Sequence, residues 1–161
     1  MEMKESCKDF FRVYGMNMRI TREFRGLTLQ QLAEISGYNR EDLSTLENGE
    51  HDIYMKNSIK IAKVLDIDYP MFFSRSFIDG DKENQSFIQD DFLSIFAENV
   101  HRELKMKHRN QTSLQVGEHL DASTISRLLN QRNDNPVVST LHRIAKSLDK
   151  DIESLLRRTA L

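Results

Sequence analysis

The chain has 161 residues, of which 30% are charged, and its formal net charge is −2. A single cysteine excludes an internal disulfide, and the lack of a signal peptide or long apolar run predicts a cytoplasmic protein that does not enter a membrane. Only two prolines and six glycines in a sequence rich in Leu, Ile, Lys and Glu favour an all-α fold.

The first half of the sequence predicts four helices. Thr28 and Asn39 are suited to cap the second and third of them, and Gly37 between these two provides the positive φ of a tight turn. Gly26 and Gly49 end the first and third helices. The predicted helices span Lys8–Phe24, Leu29–Ser36, Arg40–Asn48 and Asn57–Leu65, and a short turn follows near Tyr69–Phe72.

Two short helices joined by a glycine-containing turn and held between longer helices form a helix-turn-helix. The segments Leu32–Asn39 (LAEISGYN) and Leu43–Gly49 (LSTLENG) resemble the signature of the phage-repressor-type helix-turn-helix family, often called the Xre family. The flanking segments Tyr14–Arg19 and Ile61–Leu65 are also similar to that family. The resemblance implies lambda-repressor-like bundles of about five helices, DNA binding, and a bacterial or phage-encoded protein associated with the nucleoid.

The sequence repeats itself after 82 residues. Asp9–Met18 returns as Asp91–Val100, and Ile61–Leu65 returns as Ile144–Leu148 with one further residue inserted. A repeat over some sixty residues indicates a duplicated domain, so two tandem helix-turn-helix bundles are predicted. The predicted boundaries are a first domain at residues 8–73, a polar linker at 74–89 and a second domain at 90–161.

One pair of residues differs between the two copies at both of its positions. The family pairs an Arg on its first helix with a Glu at the end of its third, and Arg22 and Glu47 stand at those places. The second domain has Leu104 and Leu129 there. Replacing both members of a semi-buried ion pair by apolar residues is a nearly neutral exchange, whereas losing one member is costly. The joint change therefore supports the alignment and a folded second domain.

In the second domain the sequence predicts the third helix more clearly than the second. Gln115 and His119 replace small residues of the first domain, so the second helix is expected to be rotated or shifted. Asp121 is suited to cap the third helix, with Ile125 and Leu128 facing inward.

The resemblance implies that the third helix lies in the major groove and that the starts of the second and fourth helices hold phosphates. Arg127 could then read guanine, and Ala122 or the methyl of Thr124 could contact thymine. The groove-facing residues of the second domain would be Ala122, Ser123, Thr124, Ser126 and Arg127. The phosphate contacts would come from Gln111, Thr112, Asn130, Arg132 and Asn133.

The same surface of the first domain is more acidic. Its groove-facing residues would be Arg40, Glu41, Ser44 and Thr45, with Asn48 at the end of the helix. Residues 1–80 carry eleven Lys and Arg against thirteen Asp and Glu, whereas residues 92–161 carry eleven against eight. Because carboxylates that face phosphates weaken binding, the second domain is expected to be the main DNA reader.

The sequence therefore predicts a transcriptional regulator, a repressor, that binds double-stranded DNA sequence-specifically. One module buries too little surface for tight binding, so a homodimer on a palindromic site is expected, or a single chain as a pseudo-dimer on an asymmetric one. The alternative is a protein-interaction adaptor or antitoxin whose first domain binds a protein partner. Its support would be an acidic face of Glu41, Asp42, Glu50 and Asp52.

Catalysis, cofactors and metals are not expected. The sequence has no Gly-rich phosphate loop, no nucleophile elbow and no acid pair in an apolar frame. The five histidines lack paired metal-ligand spacing, and Cys7 has no activating neighbours beyond two lysines.

Overall fold

The computed structural model describes residues 7–75, 86–115 and 120–159, and the regular elements within these ranges are all helices, which confirms the predicted all-α class. The chain divides into two compact units, Met1–Ile88 and Gln89–Leu161. Most of the predicted linker, residues 76–85, lies outside the described residues, and so does His119, which replaces a small residue of the first domain. No helix of the described ranges is long and apolar enough to cross a membrane.

The first unit begins with the predicted helices. Thr28 forms a capping box with Gln31, Asn39 caps the third helix through the N–H groups of Glu41 and Asp42, and Gly37 has a φ of 73°. The fourth helix begins at Met55, two residues before its predicted start, after a Tyr54 that supplies no side-chain cap. The elements are α1 (Lys8–Phe24), α2 (Leu29–Ser36), α3 (Arg40–Glu47), α4 (Met55–Val64) and a 3-10 helix at Tyr69–Phe73.

The core of the first unit is aromatic where α1 meets the 3-10 helix. The ring of Tyr14 stacks on Phe73 with centroids 5.3 Å apart and meets Phe72 edge-on at 5.8 Å. The buried side chain of Asn17 donates from Nδ2 to the carbonyl oxygens of Phe72 and Ser74, at 2.9 and 2.8 Å. This amide ties the end of the unit to the middle of its first helix.

Helices α1 and α3 approach each other closely at two glycines. A Cβ on Gly15 would stand 2.3 Å from the carbonyl oxygen of Leu46, and a Cβ on Gly49 would stand 2.8 Å from Cα of Arg12. Both contacts are with backbone atoms, which cannot move aside as a flexible side chain can. The two glycines therefore set the position of α3 against α1.

An ion pair joins the same two helices. Nε and Nη2 of Arg22 donate to the two carboxylate oxygens of Glu47 at 2.7 and 3.0 Å, and Nη1 donates to the carbonyl of Leu27 at 2.7 Å. Both side chains are buried, with 8% of Arg22 and 6% of Glu47 exposed. The hydrogen bond with Glu47 is the main cause that raises the pKa of Arg22 above its ordinary value.

In the second unit, the second helix was expected to be rotated or shifted, and the part of it that the structure describes is a 3-10 helix. This element covers Gln111–Gln115, and the following residues 116–119 lie outside the described ones. Asp121 caps the next helix as predicted. The elements of this unit are α5 (Phe92–Met106), the 3-10 helix, α6 (Ala122–Leu129), α7 (Val138–Ser147) and α8 (Ile152–Leu155).

Several hydrogen bonds and backbone conformations of the first unit recur in the second unit at a shift of 82 or 83 residues. Asn99 donates from Nδ2 to the carbonyls of Leu155 and Arg157, both at 2.8 Å, as Asn17 does at the end of the first unit. Positive φ occurs at three corresponding positions, which are Gly26 and His108, Gly49 and Gln131, and Asp66 and Asp149. Leu104 and Leu129, which replace the ion pair, are both buried.

Candidate nucleic-acid interface

The N-terminus of α6 is organised around the carboxylate of Asp121. Its oxygens accept the backbone N–H of Thr124 at 2.8 Å, the hydroxyl of Ser123 at 2.8 Å and the hydroxyl of Thr124 at 2.7 Å. The backbone hydrogen bond from Thr124 is the largest of the causes that lower the pKa of Asp121 to about 2. In this arrangement the two hydroxyls that the sequence assigns to base edges donate their protons to the cap, and only their oxygen lone pairs remain for a base.

The capping contacts predict a specific titration. Because the folded-state pKa of Asp121 is lowered from 3.8 to about 2, its contribution to stability is present above pH 3.8 and is lost as the pH falls through 2. Carboxyl NMR should therefore give a midpoint near 2 for Asp121. Thr124→Val should raise that midpoint, whereas Ser126→Ala, which removes no donor to this carboxylate, should not. A midpoint at the ordinary value in the intact chain would contradict the cap geometry.

Two guanidinium groups near the end of α6 are available to an anionic ligand. Arg127 and Arg132 are exposed, and neither side chain has a hydrogen bond or ion pair with any residue that the structure describes. The backbone N–H groups of Arg132 and Asn133 donate to the carbonyl of Arg127 at 2.7 and 3.1 Å. The loop thus folds back on the end of the helix, which keeps both cations at the same end of α6.

The amides of the predicted site are partly committed to local structure. Asn130 donates from Nδ2 to the hydroxyl of Ser126 at 3.2 Å, so this serine still has its own proton to donate. The side-chain oxygen of Asn133 accepts the N–H of Asn135 at 3.1 Å. The Asn133 amide nitrogen remains as a donor toward a phosphate.

The start of the 3-10 helix lies next to the start of α6. Gln111, Thr112, Ala122 and Ile125 line one recess of about 40 Å³. Gln111 and Thr112, which are predicted to contact phosphate, therefore lie beside Ala122, which is predicted to face a base. Ile125, which the sequence assigned to the core, is buried, whereas Thr112 and Ala122 are exposed.

The corresponding surface of the first unit is centred on α3. Arg40, Glu41 and Asn48 are exposed, and Ser44 and Thr45 are half-buried. The hydroxyl of Thr45 donates to the carbonyl of Asp42 at 2.8 Å, within its own helix, and is therefore occupied.

The predicted acidic face of the first unit is smaller than the sequence indicated. Asp52 was placed on this face but is buried, with 8% exposed, and its carboxylate accepts the N–H of Ile53 at 2.8 Å ahead of α4. The assignment of Asp52 to the exposed face was therefore wrong. Glu41, Asp42 and Glu50 are exposed and remain on it.

One cation near the helix-turn-helix of the first unit was missed from the sequence. The ammonium of Lys60 lies 3.6 Å from the position that a Cβ on Gly37 would take, so it stands beside the turn between α2 and α3. The signal that could have found it is the spacing of Lys56 and Lys60, which places both on one exposed face of α4. This lysine partly offsets the acidic residues of α3.

Two short capped helices that meet at a glycine of positive φ, between α1 and α4, define a helix-turn-helix protein. Residues 18–72 match the sequence profile of the family described as helix-turn-helix. Control protein C.SmaI of Serratia marcescens is 31% identical over 67 residues, which cover 42% of this chain and 80% of that protein. The chain belongs to the helix-turn-helix family. This membership and the similarity to a control protein support a DNA-binding regulator of transcription.

Proposed function

We propose that the chain is a sequence-specific repressor of transcription with two helix-turn-helix units, and that α6 of the second unit is its principal base-reading helix. The observation that carries the proposal is the pair of exposed guanidiniums, Arg127 and Arg132, which have no partner among the described residues. A basic patch beside a capped helix is the electrostatic feature that a phosphate backbone selects.

The internal correspondences support a second helix-turn-helix in residues 89–161, although the family match itself lies within the first unit. The asparagine clamps of Asn17 and Asn99 and the repeated positions of positive φ are tertiary features that an unrelated helical bundle would not share. Burial of Leu104 and Leu129 supplies an apolar substitute for the ion pair. The same helical arrangement can thus be stabilised by an ion pair in the first unit and by apolar side chains in the second.

The electrostatic contrast between the two units supports α6 over α3. In the first turn of α3, the side chains of Glu41 and Asp42 are exposed. The first turn of α6 carries no acidic residue, and the carboxylate of its cap residue Asp121 is held by three hydrogen bonds. Free carboxylates at the groove repel phosphate, so the first unit is proposed as a weaker DNA reader or a surface for association.

Two arginine variants should separate base reading from phosphate binding. Arg127→Ala is expected to cost about 1–3 kcal/mol on the preferred site and to relax the preference at one base pair. Arg132→Ala should lower the affinity for all duplexes by the same factor. It should also reduce the slope of log affinity against log salt concentration by about one, because one counterion fewer is released. Titration of specific and random duplexes at several salt concentrations measures both effects. An unchanged base preference in Arg127→Ala would show that this arginine does not read a base.

Selection of binding sites from random duplexes with the full chain tests the proposed function. A homodimer that uses its second units should select a palindrome with half-sites about 10 base pairs apart, or a multiple of that spacing. An asymmetric consensus would instead indicate that both units of one chain read DNA. Absence of any consensus, together with no duplex binding at low salt, would contradict the proposed function.

A protein-interaction adaptor or antitoxin is the second candidate. The observation that favours it is the exposure of Glu41, Asp42 and Glu50 on the first unit, a surface better suited to a cationic protein than to DNA. Pull-downs with the full chain and with a Glu41→Gln/Glu50→Gln variant would test it. Capture of a partner that depends on these carboxylates, without duplex binding, favours the adaptor.

A further inference from the structure

The surface of the first unit around the turn between α2 and α3 carries charges of both signs. Glu41 and Asp42 are exposed in the first turn of α3. Lys56 and Lys60 are exposed one helical turn apart on α4. The ammonium of Lys60 lies 3.6 Å from the position that a Cβ on Gly37 would take, so it stands beside the same turn. These two carboxylates and two ammonium groups together carry no net charge.

Tyr38 connects the acidic and the basic residues of this surface. Burial raises the pKa of its hydroxyl above the ordinary value, and the carboxylate of Asp42 raises it further, whereas a hydrogen bond with the side chain of Asn57 lowers it. Asp42 belongs to α3, and Asn57 follows Lys56 directly on α4. The Tyr38 hydroxyl therefore lies close to both helices, and the carboxylates and ammonium groups belong to one continuous surface.

The same surface has an apolar part. Ile35, in the last turn of α2 and two residues before Gly37, is 58% exposed, and Tyr38 is half-buried. Interfaces between protein chains combine aliphatic or aromatic side chains with a polar rim, whereas a surface that binds DNA is strongly positive. The composition therefore fits a protein partner better than it fits a phosphate backbone.

We propose that this surface, the charged patch, binds the same patch on a second copy of the chain. The proposal rests on the proposed function, in which the first unit serves for association and two copies present two α6 helices to one duplex. The charged patch consists of Ile35, Tyr38, Glu41, Asp42, Lys56 and Lys60.

The charge distribution of the patch favours a second copy as its partner. In a two-fold symmetric dimer a patch meets its own copy, so it must be complementary to itself. A patch of one sign would repel its copy, whereas here the carboxylates on α3 of each copy can face the lysines on α4 of the other. Because exposed ion pairs contribute little on their own, Ile35 and Tyr38 supply the apolar contact area of the pairing.

Charge reversal in the full chain tests this pairing. Glu41→Lys/Asp42→Lys makes the patch cationic, and Lys56→Glu/Lys60→Glu makes it anionic. Each variant alone should self-associate more weakly than the wild type, by about 10-fold or more, because like charges then meet. An equimolar mixture of the two should form a heterodimer at least as tight as the wild-type dimer, because opposite charges meet across it. Sedimentation velocity with a fluorescent label on one variant measures each dissociation constant at low salt.

A control and a milder pair of variants protect the test against a folding defect. Glu98→Lys, an exposed reversal in the second unit, should leave self-association unchanged. Circular dichroism checks that every variant is folded. If a reversal unfolds the first unit, Glu41→Gln and Lys60→Gln take its place, and each should weaken self-association by about 3-fold and reduce its salt dependence.

The outcomes separate this inference from the proposed function. A full chain that remains monomeric without DNA, or a mixture that pairs no better than either reversed variant alone, would overturn the pairing and leave duplex binding by α6 in place. Binding of a different, cationic protein that needs Glu41 and Asp42 but not the lysines would also overturn it. Failure of the full chain to bind any duplex would contradict the proposed function, and the mixing experiment would still decide the pairing.

Discussion

Glu47→Leu should destabilise the first unit by about 3–5 kcal/mol, because it leaves the guanidinium of Arg22 buried without its anionic partner. The double variant Arg22→Leu/Glu47→Leu should unfold close to the wild-type midpoint or above it, because it removes both desolvated charges at once. The second unit already carries this apolar combination as buried Leu104 and Leu129.

The chain itself provides a probe for this experiment. It has four tyrosines and no tryptophan, and Tyr14, Tyr38, Tyr54 and Tyr69 all lie in the first unit. Urea unfolding followed by tyrosine fluorescence therefore reports on that unit alone. Leu129→Ala, which creates a cavity in the second unit, serves as the control. It should leave the urea midpoint of the tyrosine-monitored transition unchanged. A double variant no more stable than Glu47→Leu would show that the ion pair cannot be exchanged for an apolar contact.

Gly49→Ala is expected to produce the second large effect, a loss of about 2–5 kcal/mol in the first unit. Two costs add at this position: the left-handed backbone at φ 75°, and a Cβ placed 2.8 Å from Cα of Arg12. Gly26→Ala is the matched control, because its φ of 71° is nearly the same but no atom lies within 4 Å of the added Cβ. It should cost only about 1–2 kcal/mol.

The difference in the free energy of unfolding between these two alanine variants measures the contribution of the contact between α1 and the end of α3. The same tyrosine-monitored unfolding measures both. Equal losses would indicate that only backbone conformation matters at Gly49 and that the helices can separate freely. A much larger loss in Gly49→Ala would show that the close backbone approach holds α3 against α1.

Local sequence was sufficient to predict the helices and most of their ends. Thr28, Asn39 and Asp121 act within their own turns, and Gly37 satisfies a local need for positive φ, so each could be identified from a few neighbouring residues. The all-α class followed from the low content of proline and glycine and the many Leu, Ile, Lys and Glu residues. The second helix of the second unit was harder to predict because Gln115 and His119 stand where the first unit has the small residues Ala33 and Gly37.

Tertiary contacts were not predictable in the same way. The sequence identified Gly49 as a helix end but gave no sign that Arg12 packs against it, and Gly15 was not singled out at all. Asp52 resembles an exposed acidic residue in the sequence, and only the structure shows that its side chain is buried. Likewise, Ser123 and Thr124 had the composition of base-contacting residues, and only their geometry shows that their protons are directed to a carboxylate.

The central claim is that α6, and not α3, supplies the main base contacts. The most direct test measures the affinity of the full chain for its selected duplex at low salt in two charge reversals, Arg127→Glu on α6 and Arg40→Glu on α3, with circular dichroism as a check on folding. We expect a loss of roughly 100-fold or more for Arg127→Glu and only a few-fold change for Arg40→Glu. The reverse order, or equal losses, would contradict the central claim.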